Sequence, residues 1–235
     1  KFRYMKEKIV VLTGAGMSAE SGISTFRDAG GLWEGHDVME VASPEGWRKN
    51  RELVLDFYNQ RRRQLLTVNP NNGHYGLAEL ESQFDVHILT QNVDDLHERA
   101  GSSKVLHLHG ELLKVRSTGH PELVYEWKKD LNAEDRCEKG FPLRPHIVWF
   151  GEEVPLLYRA MEIAQQADYF VILGTSLQVY PAAGLMTYTP EGIPMFYIDK
   201  NPILTRDLYA IDNLQVWPGT ATEGVEKLKD FFGKI

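Results

Sequence analysis

One cysteine, Cys137, stands in a chain of 235 residues. That excludes an intramolecular disulfide framework and any multi-cysteine metal site. No apolar run reaches the roughly 18 residues that a membrane-spanning helix needs. Basic charge is not in excess either: the net charge is −7, which gives no general attraction for nucleic acid or an anionic membrane and mildly favours basic, Lys-bearing substrates. Internal repeats and low-complexity tracts are absent, so solenoids and long linkers drop out. The first eight residues, KFRYMKEK, are charged with no apolar core of a secretion signal behind them, so no signal peptide is expected, and the missing initial Met points to trimming or to an artificial start. A cytoplasmic protein is the expectation, with its oligomeric state left open. At 43% hydrophobic content the chain can bury a core as one large domain, or as one domain carrying an insertion.

What is present is an alternation of β-rich and helical runs. Strands are expected at 8–13, 86–90, 105–109, 147–150, 169–173, 195–198 and 214–216, most of them dense in Val, Ile and Leu on successive positions. Continuous apolar runs of this kind suit strands covered on both faces in a parallel sheet. Helices are expected at 53–66, 74–82, 94–99, 155–166 and 222–232, the last with a capped start after Gly219-Thr220-Ala221. The order argues for a doubly wound, Rossmann-like α/β fold with its ligand at the carboxyl ends of the strands. Two segments break the rhythm. Residues 37–69 are helical without a strand, and 112–144 are charged, interrupted by Gly and Pro, and weakly periodic. They read as insertions that together form a smaller module, leaving 1–36, 70–111 and 145–235 as the main domain.

The most informative stretch is VVLTGAGMSAESGISTFR, Val10 to Arg27. An apolar run stops at Thr13, Gly14-Ala15-Gly16 turns, and Met17-Ser18-Ala19-Glu20 opens a helix, which puts backbone N–H groups and a positive helix end where a diphosphate can sit. An ordinary dehydrogenase would follow with a second strand ending in an acidic residue about 20 residues on. Asp37 and Glu40 lie near that distance, but Gly30-Gly31-Leu32-Trp33-Glu34-Gly35 before them is no strand. This counts against hydride transfer.

The extension through Gly22, Thr25, Phe26 and Arg27 resembles the first signature of the sirtuins, NAD-dependent protein lysine deacylases. Other segments follow in that family's order: Gln91-Asn92-Val93-Asp94 at a strand end, Gly174-Thr175-Ser176 as a second dinucleotide turn, Asp199-Lys200-Asn201 on the adenosine side and Ala221 near the adenine. Asn92 or Asp94 also suits a helix N-cap. The resemblance implies NAD as co-substrate, bound by Gly14, Ala15, Gly16, Ser18, Ala19, Phe26, Arg27, Trp33 and the residues just named.

Catalysis is expected to rest on a histidine. His107 and His109 lie at i and i+2 of an expected strand, so periodicity does not choose between them. The sirtuin pattern places the base immediately before a Gly, which selects His109. The implied reaction has the acyl-lysine oxygen attack the ribose of NAD, nicotinamide leave, His109 take a proton from a ribose hydroxyl, and water complete the cycle. Asn92 and Asp94 would hold nicotinamide and the attacking water. An imidazole suits the base, with an unperturbed pKa of about 6.5.

Tyr58 and Arg61, at i and i+3, share a helix face. A phenol beside a forked guanidinium makes a carboxylate clamp, and in one sirtuin branch this pair reads succinyl-, malonyl- or glutaryl-lysine. Ala42 matches that branch's small acyl-pocket residue. The competing reading takes Arg61-Arg62-Arg63 as a solvated basic face. His146 to Glu152 resembles the family's peptide-binding segment, in which Val148, Trp149, Phe150 and Gly151, with Val179, would flank the acyl-lysine.

Most sirtuins hold structural zinc with four cysteines; here Ser117 stands where a ligand is expected, and His120 and Cys137 do not complete a set. No zinc is expected. Leu123, Val124, Tyr125, Trp127 and Phe141 are expected to form an apolar cluster in its place. The alternative function is an ADP-ribosyltransferase or NAD-cleaving enzyme on the same fold, which would keep Asn92, Asp94 and His109 without needing Tyr58 and Arg61.

Overall fold

The computed structural model describes residues 6–24, 32–204 and 206–234. In chain order the first part comprises β1 (Lys8–Thr13), α1 (Gly16–Ala19), β2 (Leu32–Trp33), β3 (His36–Asp37), α2 (Val38–Val41), α3 (Pro44–Lys49) and α4 (Arg51–Leu65). Then come α5 (Asn72–Leu80), β4 (Asp85–Thr90), α6 (Leu96–Arg99), β5 (Val105–His107), β6 (Gly110–Ser117), β7 (Val124–Glu126) and β8 (Leu143–Ile147). The last part holds α7 (Leu157–Ala164), β9 (Tyr169–Leu173), a 3₁₀ segment (Ala182–Tyr188), β10 (Met195–Asp199), α8 (Arg206–Tyr209), β11 (Leu214–Pro218) and α9 (Ala221–Phe232).

The apolar run of β1 sends side chains both ways. Val10 and Leu12 join a core with α7 and the 3₁₀ segment; Ile9 and Val11 join one with α5 and α9. All four are fully buried, each contributing on the order of 1.5–3 kcal/mol. That is why this strand sits at the centre of a six-stranded parallel sheet of order β11-β10-β9-β1-β4-β5. Thr13 aligns with Thr90 on one side and Leu173 on the other. The chain fills the β4–β5 side first and then crosses to β9, so the order reverses beside β1. Ligands of such sheets bind in the crevice at this reversal.

A second, three-stranded antiparallel sheet, β7-β6-β8, forms the smaller module. It corrects two expectations. The strand expected at 147–150 is β8, which ends at Ile147 and pairs with β6 rather than joining the parallel sheet. The strand β6 lies partly in the segment read as weakly periodic; its buried and half-buried residues alternate except at the adjacent buried Leu112 and Leu113. The limits of 112 and 144 suggested for the module fall within β6 and β8.

The apolar cluster of this module also differs from expectation. Leu55, Val115, Leu131, Cys137 and Leu143 form its buried centre, with Leu123, Tyr125 and Trp127 partly buried around it. Val124 and Phe141 are exposed, although the Phe141 ring packs on His120 at 5.2 Å. At the expected ligand position the Ser117 hydroxyl accepts from the N–H groups of Gly119 and His120 and reaches the Cys137 thiol. A hydroxyl, one thiol and an imidazole engaged with Glu122 do not suit tetrahedral zinc. Among the described residues no three His, Cys, Asp or Glu are grouped to hold a metal ion.

Helix α4 packs against β6 and β8 of the module. Arg62 is buried, with Nε donating to the Leu112 carbonyl at 3.2 Å and Nη1 to Asn59 Oδ1 at 2.6 Å. Burial lowers its pKa to about 10. Arg63 instead reaches Asp130 on the surface, so three successive arginines have three different surroundings. Among the described residues no helix is long and apolar enough to cross a membrane.

Candidate active site

A cavity of about 910 Å³ opens at the carboxyl ends of β1 and β9. Its floor is two turns packed on each other. The Gly14 N–H donates to the Leu173 carbonyl at 3.1 Å and the Gly16 N–H to the Gly174 carbonyl at 2.8 Å. A Cβ on Gly14 would lie 2.5 Å from the Thr175 Cβ, and one on Gly16 2.8 Å from the Gly174 Cα. The glycines are therefore required by turn-on-turn packing. This revises the expected diphosphate cradle: two of its N–H groups are already used, and α1 is a single short turn whose dipole is small. The N–H groups of Ala15, Thr175 and Ser176 have no partner among the described residues, and all three residues line the cavity. These donors suit the oxygens of a diphosphate.

The loop after β4 supplies the polar wall. Asn92 Nδ2 donates to the Gly14 carbonyl at 3.0 Å and to Ser18 Oγ at 3.2 Å, and Ser18 donates to Asp94 Oδ2 at 2.8 Å. The other Asp94 oxygen accepts from the Leu96 N–H. Burial raises the Asp94 pKa, against the opposing effect of those two hydrogen bonds. Gln91 donates to Thr175 Oγ1 at 3.1 Å, bridging the loop to the second turn. Behind the loop, Thr13 Oγ1 meets Thr90 and His97, and His97 stacks edge-on against His74 at 4.8 Å.

Structure separates the two histidines that sequence spacing left equal. Strand β5 ends at His107, so the same-face argument does not extend to His109. His107 has Nδ1 at 3.0 Å from the Asn92 carbonyl and Nε2 at 2.7 Å from Glu98. Both nitrogens face acceptors, which is the arrangement of an imidazolium. Burial opposes that charge, but the Glu98 partner outweighs it and raises the pKa. His109 lines the cavity, and its Nδ1 lies 3.1 Å from the Gln91 carbonyl. A carbonyl only accepts, so the proton sits on Nδ1 and the Nε2 lone pair is left bare. Burial lowers the His109 pKa, which keeps the ring neutral at pH 7.

The remaining nucleotide-side residues, Ala19, Trp33, Val93, Asp199, Lys200, Asn201 and Ala221, also line the cavity. Phe26 and Arg27 lie outside the described residues. At the far end, Ala42, Arg61, Val148, Trp149, Phe150, Gly151 and Val179 form the wall. Tyr58 is fully buried just behind it, with its hydroxyl accepting from the Trp149 indole N–H at 3.0 Å. The Tyr58 proton has no acceptor among the described residues. Arg61 Nε is buried without a partner among the described residues; its guanidinium lies over Phe57 at 4.5 Å, and Nη1 makes one long bond to the Phe57 carbonyl at 3.3 Å. The Tyr58 hydroxyl proton and Arg61 Nε thus lack acceptors among the described residues.

The segment expected to pair with a peptide turns most of its N–H groups inward. Val148 donates to the His109 carbonyl, Phe150 to the Ala42 carbonyl and Glu152 to the Trp149 carbonyl, and Trp149 donates to the Glu152 carboxylate. Carbonyls and the Gly151 N–H are what it offers a partner strand. Sequence reading missed Glu152, which fixes this turn through Arg144 at 2.6 Å while Arg144 stacks on Trp149 at 3.4 Å. It also missed Glu34, a cavity residue 3.8 Å from Arg61. The Glu34-Gly35 pair after the apolar Leu32-Trp33 was the available signal for the hairpin turn that carries it.

Residues 14–181 match the Sir2 family. An NAD-dependent protein deacylase of Helicobacter pylori is 61% identical over 209 residues, covering 88% of this chain and 89% of the relative. The crystal structure of a Sir2 homologue–NAD complex superimposes with a TM-score of 0.86 at 38% identity, covering 97% of this chain and 90% of that one. A Sir2 structure bound to acetylated peptide gives 0.80 at 28% identity, covering 97% and 94%.

Proposed function

The chain belongs to the Sir2 family, NAD-dependent protein deacylases that take NAD as co-substrate, and from that premise we propose that it removes acidic acyl groups, succinyl and malonyl, from protein lysines in preference to acetyl. The observation that carries this reading is a pair of donors without acceptors among the described residues, one on Arg61 in the acyl-end wall of the cavity and one on Tyr58 just behind it. Among the described residues Arg61 Nε is buried without a partner, and Tyr58, one helical turn away, accepts from Trp149 with its own proton unspent. An acyl carboxylate satisfies both. A charge-assisted hydrogen bond contributes about 1.5–3 kcal/mol, roughly a ten- to hundredfold preference. Ala42 leaves room for the longer acyl chain.

In this reading residues 1–36, 70–111 and 145–235 form the NAD-binding domain and 37–69 with 112–144 the smaller module. NAD supplies the ribose carbon whose bond to nicotinamide is exchanged for one to the acyl oxygen. The N–H groups of Ala15, Thr175 and Ser176 would take the diphosphate with Gly14, Gly16 and Gly174 keeping the two turns in contact; Asp199, Lys200, Asn201 and Ala221 would face the adenosine. Asn92, fixed by Gly14 and Ser18, would present its amide to the nicotinamide side, and Asp94 would hold Ser18 and an attacking water. His109, neutral and with Nε2 bare, would accept the ribose hydroxyl proton. Val148, Phe150 and Val179 would flank the lysine stem, with Gly151 contributing its N–H to the peptide.

The test is mass-spectrometric turnover of matched succinyl-, malonyl- and acetyl-lysine peptides, with and without NAD, by the wild type and R61M. Faster NAD-dependent loss of the acidic groups, with the preference collapsing in R61M, is the expected result. Equal or faster acetyl removal by the wild type refutes the acidic preference. NAD cleavage without any peptide turnover refutes the deacylase itself.

A further inference from the structure

Resting on that acidic-acyl reading, we infer that Glu34 is a tethered stand-in for the substrate carboxylate: it partners Arg61 in the free protein, is displaced by an acidic acyl group, and so sets how strongly the pocket discriminates between acidic and neutral acyl-lysines. Glu34 and Gly35 form the two-residue turn between β2 and β3, where Leu32 pairs with Asp37 and Trp33 with His36. Both turn residues have positive φ, +51° for Glu34 and +81° for Gly35. Such a turn favours Asn, Asp or Gly at its first position; Glu is a strained choice there, of the kind that persists where the surroundings hold it.

The surroundings are aromatic and lead directly to Arg61. Trp33 packs edge-on against Phe57 at 5.0 Å and Tyr58 at 6.1 Å, and His36 against Phe57 at 5.6 Å. Arg61 lies over that same Phe57 ring at 4.5 Å. The hairpin is thereby seated on α4 with the Glu34 carboxylate inside the cavity, 3.8 Å from Arg61 Nη2. That separation gives charge attraction without a hydrogen bond. Both side chains keep some exposure, 26% for Glu34 and 15% for Arg61, so the contact is weak enough to be exchanged. Asp56, the other carboxylate acting on Arg61, is engaged by Gln60 at 2.6 Å on the exposed side.

The consequence has opposite signs for the two substrate classes. Against a succinyl group, Glu34 competes for Arg61 and repels a like charge. With an acetyl group bound, it keeps a partly buried guanidinium from being left without any counter-charge. Partly exposed ion pairs are worth up to about 1 kcal/mol, so removing the carboxylate should change the succinyl-to-acetyl ratio by about two- to fivefold.

The experiment compares wild type, E34Q, E34N, R61M and E34Q/R61M. It reads kcat/KM for succinyl- and acetyl-lysine peptides and, separately, the affinity of fluorescein-labelled peptides in the absence of NAD. Expected is a two- to fivefold rise in the succinyl-to-acetyl ratio in both E34Q and E34N, seen in binding as well as turnover, and a clearly smaller effect of E34Q once Arg61 is Met, where only the like-charge repulsion is left to relieve. Agreement between Gln and Asn separates the lost charge from relief of the turn, since Asn tolerates the backbone that Gln strains. A ratio unchanged or lowered by E34Q, or one that rises equally in the R61M background, overturns the assignment. If R61M abolishes succinyl preference while Glu34 variants do nothing, only this inference fails; if R61M leaves the ratio untouched, the acidic-acyl reading fails with it.

Discussion

Replacing Tyr58 by Phe removes a single oxygen from a fully buried ring. The aromatic contacts with Trp33, Phe57 and Trp149 survive, at 6.1, 5.2 and 6.5 Å. The loss is the acceptor for the Trp149 indole N–H, which has no water route because Trp149 is 2% exposed. Leaving a buried donor unsatisfied costs about 1–3 kcal/mol. For a chain of this size 1 kcal/mol corresponds to roughly 2–4 °C in the unfolding midpoint, so Y58F should melt a few to about ten degrees lower. Catalysis separates a second role. The hydroxyl stands behind the cavity wall and makes no contact an acetyl group needs, so acetyl-lysine turnover measured well below the midpoint should change less than threefold by this reasoning. Succinyl-lysine should lose about tenfold or more in kcat/KM, through the phenol proton no longer available to the carboxylate. Differential scanning calorimetry and paired peptide kinetics read the two effects independently. An unchanged midpoint would falsify the Trp149 hydrogen bond, and equal losses on both peptides would show that Tyr58 shapes the pocket without reading the carboxylate.

Acid should destabilise the fold through its buried histidines. His74, fully buried, has its pKa lowered by burial to about 4, and His97 is lowered well below its ordinary value for the same reason. As pH falls below about 6.5 the unfolded chain binds protons that the folded one refuses, so stability drops between about pH 6.5 and 4, by roughly 3 kcal/mol from His74 alone. His107, raised by Glu98, acts oppositely: its contribution is present at low pH and is lost as pH rises through its raised pKa. Urea unfolding from pH 7.5 to 4.5 checks the sum, and a flat profile would contradict neutral burial of the pair. For the base, the acid limb of kcat/KM should fall below the usual imidazole value, since burial lowers the His109 pKa, and H109A should lose turnover by at least about 10²-fold while still binding NAD; a limb above pH 6.5 would contradict the assignment. Zinc chelation should leave the midpoint unchanged, because an apolar centre around Leu131 and Cys137 fills the module; a fall on adding chelator, reversed by zinc, would overturn that reading.

The parallel sheet was legible because its inner strands β1, β9 and β10 are nearly continuous apolar runs, and only strands covered on both faces need to be. The second sheet hid for the opposite reason. β6 carries Glu111, Lys114 and Arg116 on its half-buried positions, and β8 contains Pro145, so neither reads as a strand by apolar density. Residues lining the cavity were legible where they end strands or form turns, as at Gly14, Gln91, His109 and Gly174. Arg62, Tyr58 and Glu34 were less so. Helical spacing puts Tyr58 and Arg61 together, yet it does not tell which is buried behind Trp149, and a three-arginine run gives no hint that its middle member ties α4 to the Leu112 carbonyl.

The interlocked turns of Gly14–Gly16 and Gly174 have a consequence for how the chain comes to function. Their hydrogen bonds join positions about 160 residues apart in sequence, and contacts of such separation form late because they demand closure of a long loop. The floor of the cavity therefore exists only once β9 has docked beside β1. A fragment ending before β9 could fold α5 and β4 and still bind no dinucleotide. NAD added during refolding would hold the finished state by mass action, and it would slow unfolding rather than hasten the early steps.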